Sequence, residues 1–139
     1  MACDTAFGMA ASNLRYGPGV TREVGMDLSD LGVKWTMVLT DANLATAASV
    51  TTVLGALDDE KIGYELYNRV RVEPTDESFQ DAIAFAEAGR FDAFVAVGGG
   101  STMDTAKAAN LYATYPADFL EYVNPPIGGG KPVPGPLKP

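Results

Sequence analysis

Histidine is missing from all 139 residues, and cysteine occurs once, as Cys3. Imidazole is the base of Ser-His-Asp and Cys-His nucleophile sites and a common ligand of zinc and non-haem iron, so these residues alone build none of those chemistries. One thiol excludes an internal disulfide and a cysteine-based metal cluster, and it fits a reducing compartment. No apolar run approaches the roughly 18 residues of a membrane-spanning helix. The opening stretch MACDTAFGMAASNLRYG has an acid at Asp4, one base at Arg15 and no apolar h-region, so it does not read as a secretory signal. Basic residues are few. Ten Lys and Arg against 18 Asp and Glu give a net charge of −8 with no basic cluster. Such a surface repels a phosphodiester backbone, and the expectation is a soluble protein with neither nucleic acid nor membrane as partner.

What is present is an ordinary globular composition, 47% hydrophobic and 20% charged, in a chain long enough to bury a core. Behind the Gly17-Pro18-Gly19 turn, Thr21 to Leu31 reads as a short helix with Thr21 as its cap and Val24, Leu28 and Leu31 on one face. Trp35 to Leu39 is strand-like, ending at Thr40-Asp41. Leu44 to Leu57 has helical spacing through Val50, Val53, Leu54 and Leu57, and Tyr64 to Tyr67 is a second strand. Thr75 to Ala88 reads as a helix capped by Thr75 and closed by Gly89. Phe91 to Val97 is a nearly continuous apolar run, as expected of a central strand covered on both faces. Alternating strands and helices predict an α/β fold with a Rossmann-like parallel sheet flanked by helices. Ligands of such sheets lie at the carboxyl ends of the strands.

Residues 1–124 form the expected domain. The remainder, PPIGGGKPVPGPLKP, holds six prolines and four glycines in 15 residues and reads as a loose tail or linker. Its Gly128-Gly129-Gly130-Lys131 string is no phosphate loop, because Pro132 follows where a helix must begin.

The stretch VAVGGGSTMDTAKAAN, residues 95–110, holds most of the chemistry. A strand emptying through Gly98, Gly99 and Gly100 into a helix brings free backbone N–H groups and the positive end of the helix dipole to one spot, with the Ser101 hydroxyl beside them. Three glycines also make a tight turn with no ligand, and the sequence alone leaves both readings open. Met103 stands where the G-x-G-x-x-G fingerprint has its third glycine. The order of elements is unusual as well: a dinucleotide fold places its ribose-binding acid about 20 residues after the glycines, whereas Asp41 precedes them. Asp41 is equally placed to cap a helix starting near Ala42. Asp104 falls in the first helical turn, where the dipole favours an acid, and Lys107 at i+3 is placed for a surface ion pair.

With those residues in view, the chain resembles the amino-terminal NAD-binding domain of the iron-dependent (group III) alcohol dehydrogenases, a dehydroquinate synthase-like fold, and above all their hydroxyacid-oxoacid transhydrogenase branch. The resemblance rests on NLRYGPGVTREVGMDL, TDANL, VRVEPTDESFQDAIAFA, FDAFVAVGGGSTMDTAKAANLYA, FLEYVNPPIG and KPVPGPLKP. It implies that NAD is the cofactor, with Asp41 at the adenosine ribose and Gly98, Gly99, Gly100 and Ser101 at the pyrophosphate. Asp104 and Lys107 match the motif's acid and base. Glu73, in the loop toward the adenine, stands where relatives often have Asn. No catalytic residue and no metal ligand is assigned here. In the family, Fe²⁺ or Zn²⁺ is held by an Asp and three His of a helical domain that these residues do not include. The implied activity of the whole is oxidation of an alcohol or hydroxy acid such as 4-hydroxybutyrate, with hydride passing to NAD and on to 2-oxoglutarate. The implied location is bacterial cytoplasm, or mitochondria in a eukaryote.

Two readings follow: the cofactor-binding part of a metal-dependent dehydrogenase or transhydrogenase, or a stand-alone nucleotide-binding or interaction module. The first expects a missing catalytic domain as partner, or self-association through the face meant for it. Both share one prediction, set by the donor inventory. The purified 139-residue chain retains no stoichiometric Fe²⁺ or Zn²⁺ after dialysis and oxidises no alcohol. Metal analysis and a cofactor-reduction assay check this, and metal-dependent turnover overturns it.

Overall fold

The computed structural model describes residues 13–139, so Cys3, Asp4 and the rest of the opening stretch lie outside the described residues. Trp35–Asp41 forms strand β1, which pairs in parallel with strand β2, Gly63–Val70, on one side and strand β3, Ala93–Ala96, on the other. The sheet order is β2-β1-β3. Five consecutive residues of β1 are buried because it has a neighbour on each side and a helical layer on each face.

Side chains alternate across the sheet, and β1 feeds two cores. Val38 points into one with Leu28, Val50, Val53 and Leu57. Met37 and Leu39 point into the other with Tyr67, Phe91, Ala82, Ala86, Ala106 and Ala109. The first core is roofed by helices α1, Val24–Asp30, and α2, Ala48–Asp59; the second by α3, Asp76–Gly89, and α4, Gly100–Thr114. Full burial of each large apolar side chain contributes about 1.5–3 kcal/mol. The two buried threonines of β1 find their partners on the β3 side. Thr36 Oγ1 donates to the Ala93 carbonyl at 3.0 Å and Thr40 Oγ1 to the Val97 carbonyl at 2.8 Å.

Several boundaries and roles differ from the sequence reading. Phe91–Val97 was expected at the centre of the sheet, but β1 is central and β3 is an outer strand whose last three residues are only partly buried. A continuous apolar run reports covered faces and carries no information about lateral neighbours. Thr21 is not a cap: a 3-10 turn, Val20–Glu23, precedes α1, entered through Gly19 in the left-handed region at φ 83°. Leu31, expected on the buried face, lies past the end of α1 and is 64% exposed. The Thr75 cap is present and reciprocal, with Ser78 N donating to Thr75 Oγ1 at 3.2 Å and Thr75 N to Ser78 Oγ at 2.9 Å. Gly89 is the last residue of α3, and its reason is steric. A Cβ there would collide with the Phe91 ring, while the left-handed closing residue is Arg90 at φ 50°.

The Pro/Gly-rich tail forms no helix or strand. It is nevertheless held down rather than loose. Phe94 N donates to the Pro139 carbonyl at 2.8 Å, Lys138 Nζ to the Phe91 carbonyl at 2.7 Å and Tyr115 Oη to the Pro136 carbonyl at 2.9 Å. Upstream, Gly128, Gly129 and Gly130 N donate to the carbonyls of Asn124, Leu120 and Val123.

An ion-paired clamp ties β2 to α3. Tyr67, 1% exposed, donates its hydroxyl to Asp81 Oδ2 at 2.7 Å, and Arg69 Nε donates to the same oxygen at 2.9 Å. The Arg69 hydrogen bond first, and then that from Tyr67, hold the Asp81 carboxyl below its ordinary range. A carboxylate whose folded pKa is depressed contributes stability above its unfolded pKa, and that contribution is lost as pH falls through the folded value. Asp81→Asn therefore lowers the unfolding midpoint at pH 7. Because the ion pair is about half exposed, the effect is at most about 1 kcal/mol. The difference between the two proteins narrows as pH drops below about 4, the ordinary carboxylate range. Thermal melts at several pH values check this, and a gap that stays constant into acid excludes the clamp as its source.

Candidate functional site

Topology brings two of the expected site elements together. The chain leaves β1 for β2 on one side and then crosses to β3 on the other, so the carboxyl ends of β1 and β3 flank the point where strand order reverses. Open α/β sheets bind ligands at that crevice. Two hydrogen bonds set the ends flush: Val97 N donates to the Leu39 carbonyl at 2.8 Å, and Thr40 Oγ1 to the Val97 carbonyl at 2.8 Å. Asp41 and Gly98 are the next residues of the two strands. The acid that precedes the glycines in sequence thus sits beside them in space, which accounts for the reversed order.

Asp41 is partly buried, and one of its oxygens is committed. Oδ1 accepts from Asn43 N at 2.8 Å and Leu44 N at 3.1 Å. That is the bonding expected of a cap, but it holds a turn rather than a helix. The next helix, α2, begins at Ala48, four residues later than the sequence reading placed it. The turn is paired internally, Leu44 N also reaching the Asp41 carbonyl at 3.2 Å and Ala47 N the Leu44 carbonyl at 2.8 Å. Oδ2 of Asp41 meets no donor among the described residues.

The three glycines separate into two roles. A Cβ on Gly98 would collide with the Thr102 side chain, itself 2% exposed, so Gly98 is required by the close packing of the turn on the first turn of α4. Gly99 and Gly100 have no heavy atom within 4 Å of where a Cβ would stand, and neither has a positive φ. Nothing inside the fold requires glycine at those two positions, and both face open space. Gly99 is the N-cap residue of α4 and offers no side-chain cap; its carbonyl accepts from Thr102 N and Met103 N, each at 3.1 Å. The N–H groups of Gly100 and Ser101 meet no acceptor among the described residues. A shelf with open space, two free amides, the Ser101 hydroxyl and the positive end of a 15-residue helix suits an anion such as a pyrophosphate.

The remaining expected residues lie farther out. Asp104 and Lys107 are 65% and 77% exposed and stand 3.9 Å apart as an i,i+3 pair, an ordinary helix-surface contact. Glu73 lies beyond the end of β2 in the left-handed region at φ 58°, immediately before Pro74. Asparagine tolerates that conformation better than glutamate. Thr102 and the amides of Asn43 and Leu44 were not singled out from the sequence, since each acts only through a long-range or turn contact. No group of three or more His, Cys, Asp or Glu that could hold a metal ion occurs among the described residues. The donor set here does not fit a metal centre.

Comparison with known proteins bears on the fold and the family. Residues 11–139 match the family described as iron-containing alcohol dehydrogenase. Hydroxyacid-oxoacid transhydrogenase, mitochondrial, of Mus musculus is 61% identical over 137 residues, covering 98% of this chain and 30% of that protein. The chain therefore spans under a third of the length of that relative. Among solved structures, 1,3-propanediol oxidoreductase superposes with a TM-score of 0.73 at 30% identity, over 78% of this chain and 28% of that one. The NADH-dependent butanol dehydrogenase A of Thermotoga maritima gives a TM-score of 0.71 at 24% identity, over 76% of this chain and 27% of that one, and shows the fold alone. By its match over residues 11–139, the chain belongs to the iron-containing alcohol dehydrogenase family.

Proposed function

We propose that the shelf between β1 and β3 binds NAD, and that the chain is the cofactor-binding domain of a metal-dependent alcohol dehydrogenase of the hydroxyacid-oxoacid transhydrogenase kind. The observation that carries the reading is the pair of open glycines, Gly99 and Gly100, set beside a half-free Asp41 at the crossover of the sheet. The pyrophosphate lies over the amides of Gly100 and Ser101, and Asp41 Oδ2 accepts from the adenosine ribose diol. Asp104, exposed one turn along α4, reaches ribose, amide or water, because a carboxylate cannot accept from a deprotonated phosphate. NAD, once bound, supplies the hydride acceptor. The chain's own residues bind and orient it. Oxidation of a hydroxy acid, and the mitochondrial setting named for the mouse relative, extend to this chain on the same reading. Large apolar side chains such as Leu14, Tyr16, Val72 and Ile127 are exposed and open to cover by a catalytic domain or another copy.

The two glycine roles give opposite predictions. Gly100→Ala keeps or raises stability, by up to about 1 kcal/mol, since it improves helix propensity in open space. The same methyl stands in the path of the pyrophosphate and weakens NAD⁺ about tenfold. Gly98→Ala destabilises by about 1–3 kcal/mol through its collision with Thr102. With only part of a full contact set, the wild-type Kd is about millimolar. Thermal melts and an NAD⁺ titration followed by amide shifts check both. Amides of Gly98 to Ser101 that stay unmoved at several millimolar NAD⁺ sink the reading.

Asp41 sets the choice of cofactor. Its charge accepts from a ribose diol and repels the 2′-phosphate of NADP, so NAD is preferred by at least about tenfold. Asp41→Asn keeps an oxygen for the Asn43 and Leu44 amides, and hence keeps stability, while removing the charge. The expected outcome is an unchanged melting temperature with the preference reduced several-fold. A preference unaltered in the variant leaves Asp41 as a turn-holding residue alone.

A further inference from the structure

Buried asparagine is unusual in the middle of a helix, and Asn110 of α4 is 7% exposed. Asparagine is a poorer helix former than alanine, and its buried amide must find partners. Those partners lie in the Pro/Gly-rich tail. Asn110 Nδ2 donates to the Lys138 carbonyl at 2.8 Å, and Oδ1 accepts from Lys138 N at 3.3 Å and from Thr114 Oγ1 at 3.0 Å. One amide thus grips the tail backbone in both directions. The gripped residue continues the connection, since Lys138 Nζ donates to the Phe91 carbonyl and the adjoining Pro139 carbonyl accepts from Phe94 N, both beside β3.

The β3-α4 unit is consequently closed at two ends. At one end the strand runs into the helix through Gly98, Gly99 and Gly100, a backbone with wide conformational freedom. At the other, about 15 Å along the helix at 1.5 Å per residue, Asn110 ties α4 through residue 138 to the start of the same strand. Between them α4 rests on the sheet through small residues, Ala106 and Ala109 among them, which offer little interlocking relief against sliding or tilting. Free at its far end, a helix hung on three glycines would swing, and the amides of Gly100 and Ser101 would swing with it.

We propose that Asn110 is a positioning residue for the phosphate shelf: by clamping the tail as a strap, it fixes the far end of α4 so that the glycine turn does not act as a hinge. The effect on ligand rests on the dinucleotide reading above, whereas the fixing of α4 does not. Proline suits the strap, because its restricted φ leaves less freedom to be lost on docking.

The test uses the isotope-labelled chain as wild type, Asn110→Ala, Asn110→Gln and Asn110→Leu. Alanine favours helix, so the first variant isolates the clamp from helix propensity. Expected in Asn110→Ala are amide exchange at Lys138 and Phe94 faster by about tenfold or more, altered residual dipolar couplings of α4 relative to the sheet, and NAD⁺ affinity weaker by about three- to tenfold. Asn110→Gln, which carries the same amide, restores part of each. Unchanged exchange and couplings overturn the clamp, and an opened strap with unchanged NAD⁺ affinity overturns the positioning role. Should NAD⁺ leave the wild-type shelf unshifted, the dinucleotide reading falls, and the couplings alone decide whether Asn110 fixes α4. Should Asn110→Ala fail to fold, Asn110→Leu keeps the buried volume and the helix propensity while removing every side-chain hydrogen bond of the clamp. Loosened α4 couplings then support the clamp, and wild-type couplings overturn it.

Discussion

Pairing of β1 on both edges is the constraint from which the rest of the molecule follows. Parallel ladders to β2 and β3 fix the register of the sheet, and the alternation of β1 side chains then decides which residues enter each core. The threonines at positions 36 and 40 extend this control past the backbone, because each spends its hydroxyl on a carbonyl of the β3 side. A one-residue slip would turn Met37 and Leu39 toward the wrong layer and part Asp41 from the glycine turn. The candidate site is therefore a by-product of register. Its two halves come from different strands and meet only because those strands are locked flush.

The GGGS turn shows how one motif serves two demands. Gly98 answers the interior, where Thr102 leaves no space for a Cβ, while Gly99 and Gly100 answer the exterior, where space is kept open. The sequence presents the three as equals, and only packing distinguishes them. Asp41 likewise commits one oxygen to the turn and leaves the other without a donor among the described residues. The cap and the ribose contact, which looked like rivals in the sequence, are compatible in the structure.

Much of the fold was legible because its signals are local. Helical spacing gave α2 and α3, the run that follows the glycines gave α4, Thr75 was readable as a cap, and the alternation of elements gave the parallel sheet. What escaped was set by distant partners. Lateral strand order depends on which edges pair, and Phe91–Val97 reads the same at the centre of a sheet as beside it. The late start of α2 depends on an Asp41 side chain that captures the chain before a helix can form. The docking of the tail turns on Asn110, 28 residues away, and no local pattern announces such a contact.

The strap also bears on the outer edge of the sheet. An outer strand with open amides invites strands of other molecules to add to it, and β3 is apolar and carries no charged residue of its own. The Pro139 carbonyl already occupies the Phe94 amide, so the tail lies where an incoming strand would make its first hydrogen bond. A segment rich in proline is a poor template for further growth, because proline has no N–H to pass the ladder on. The tail that composition marks as featureless thus covers part of the outer edge of β3 among the described residues.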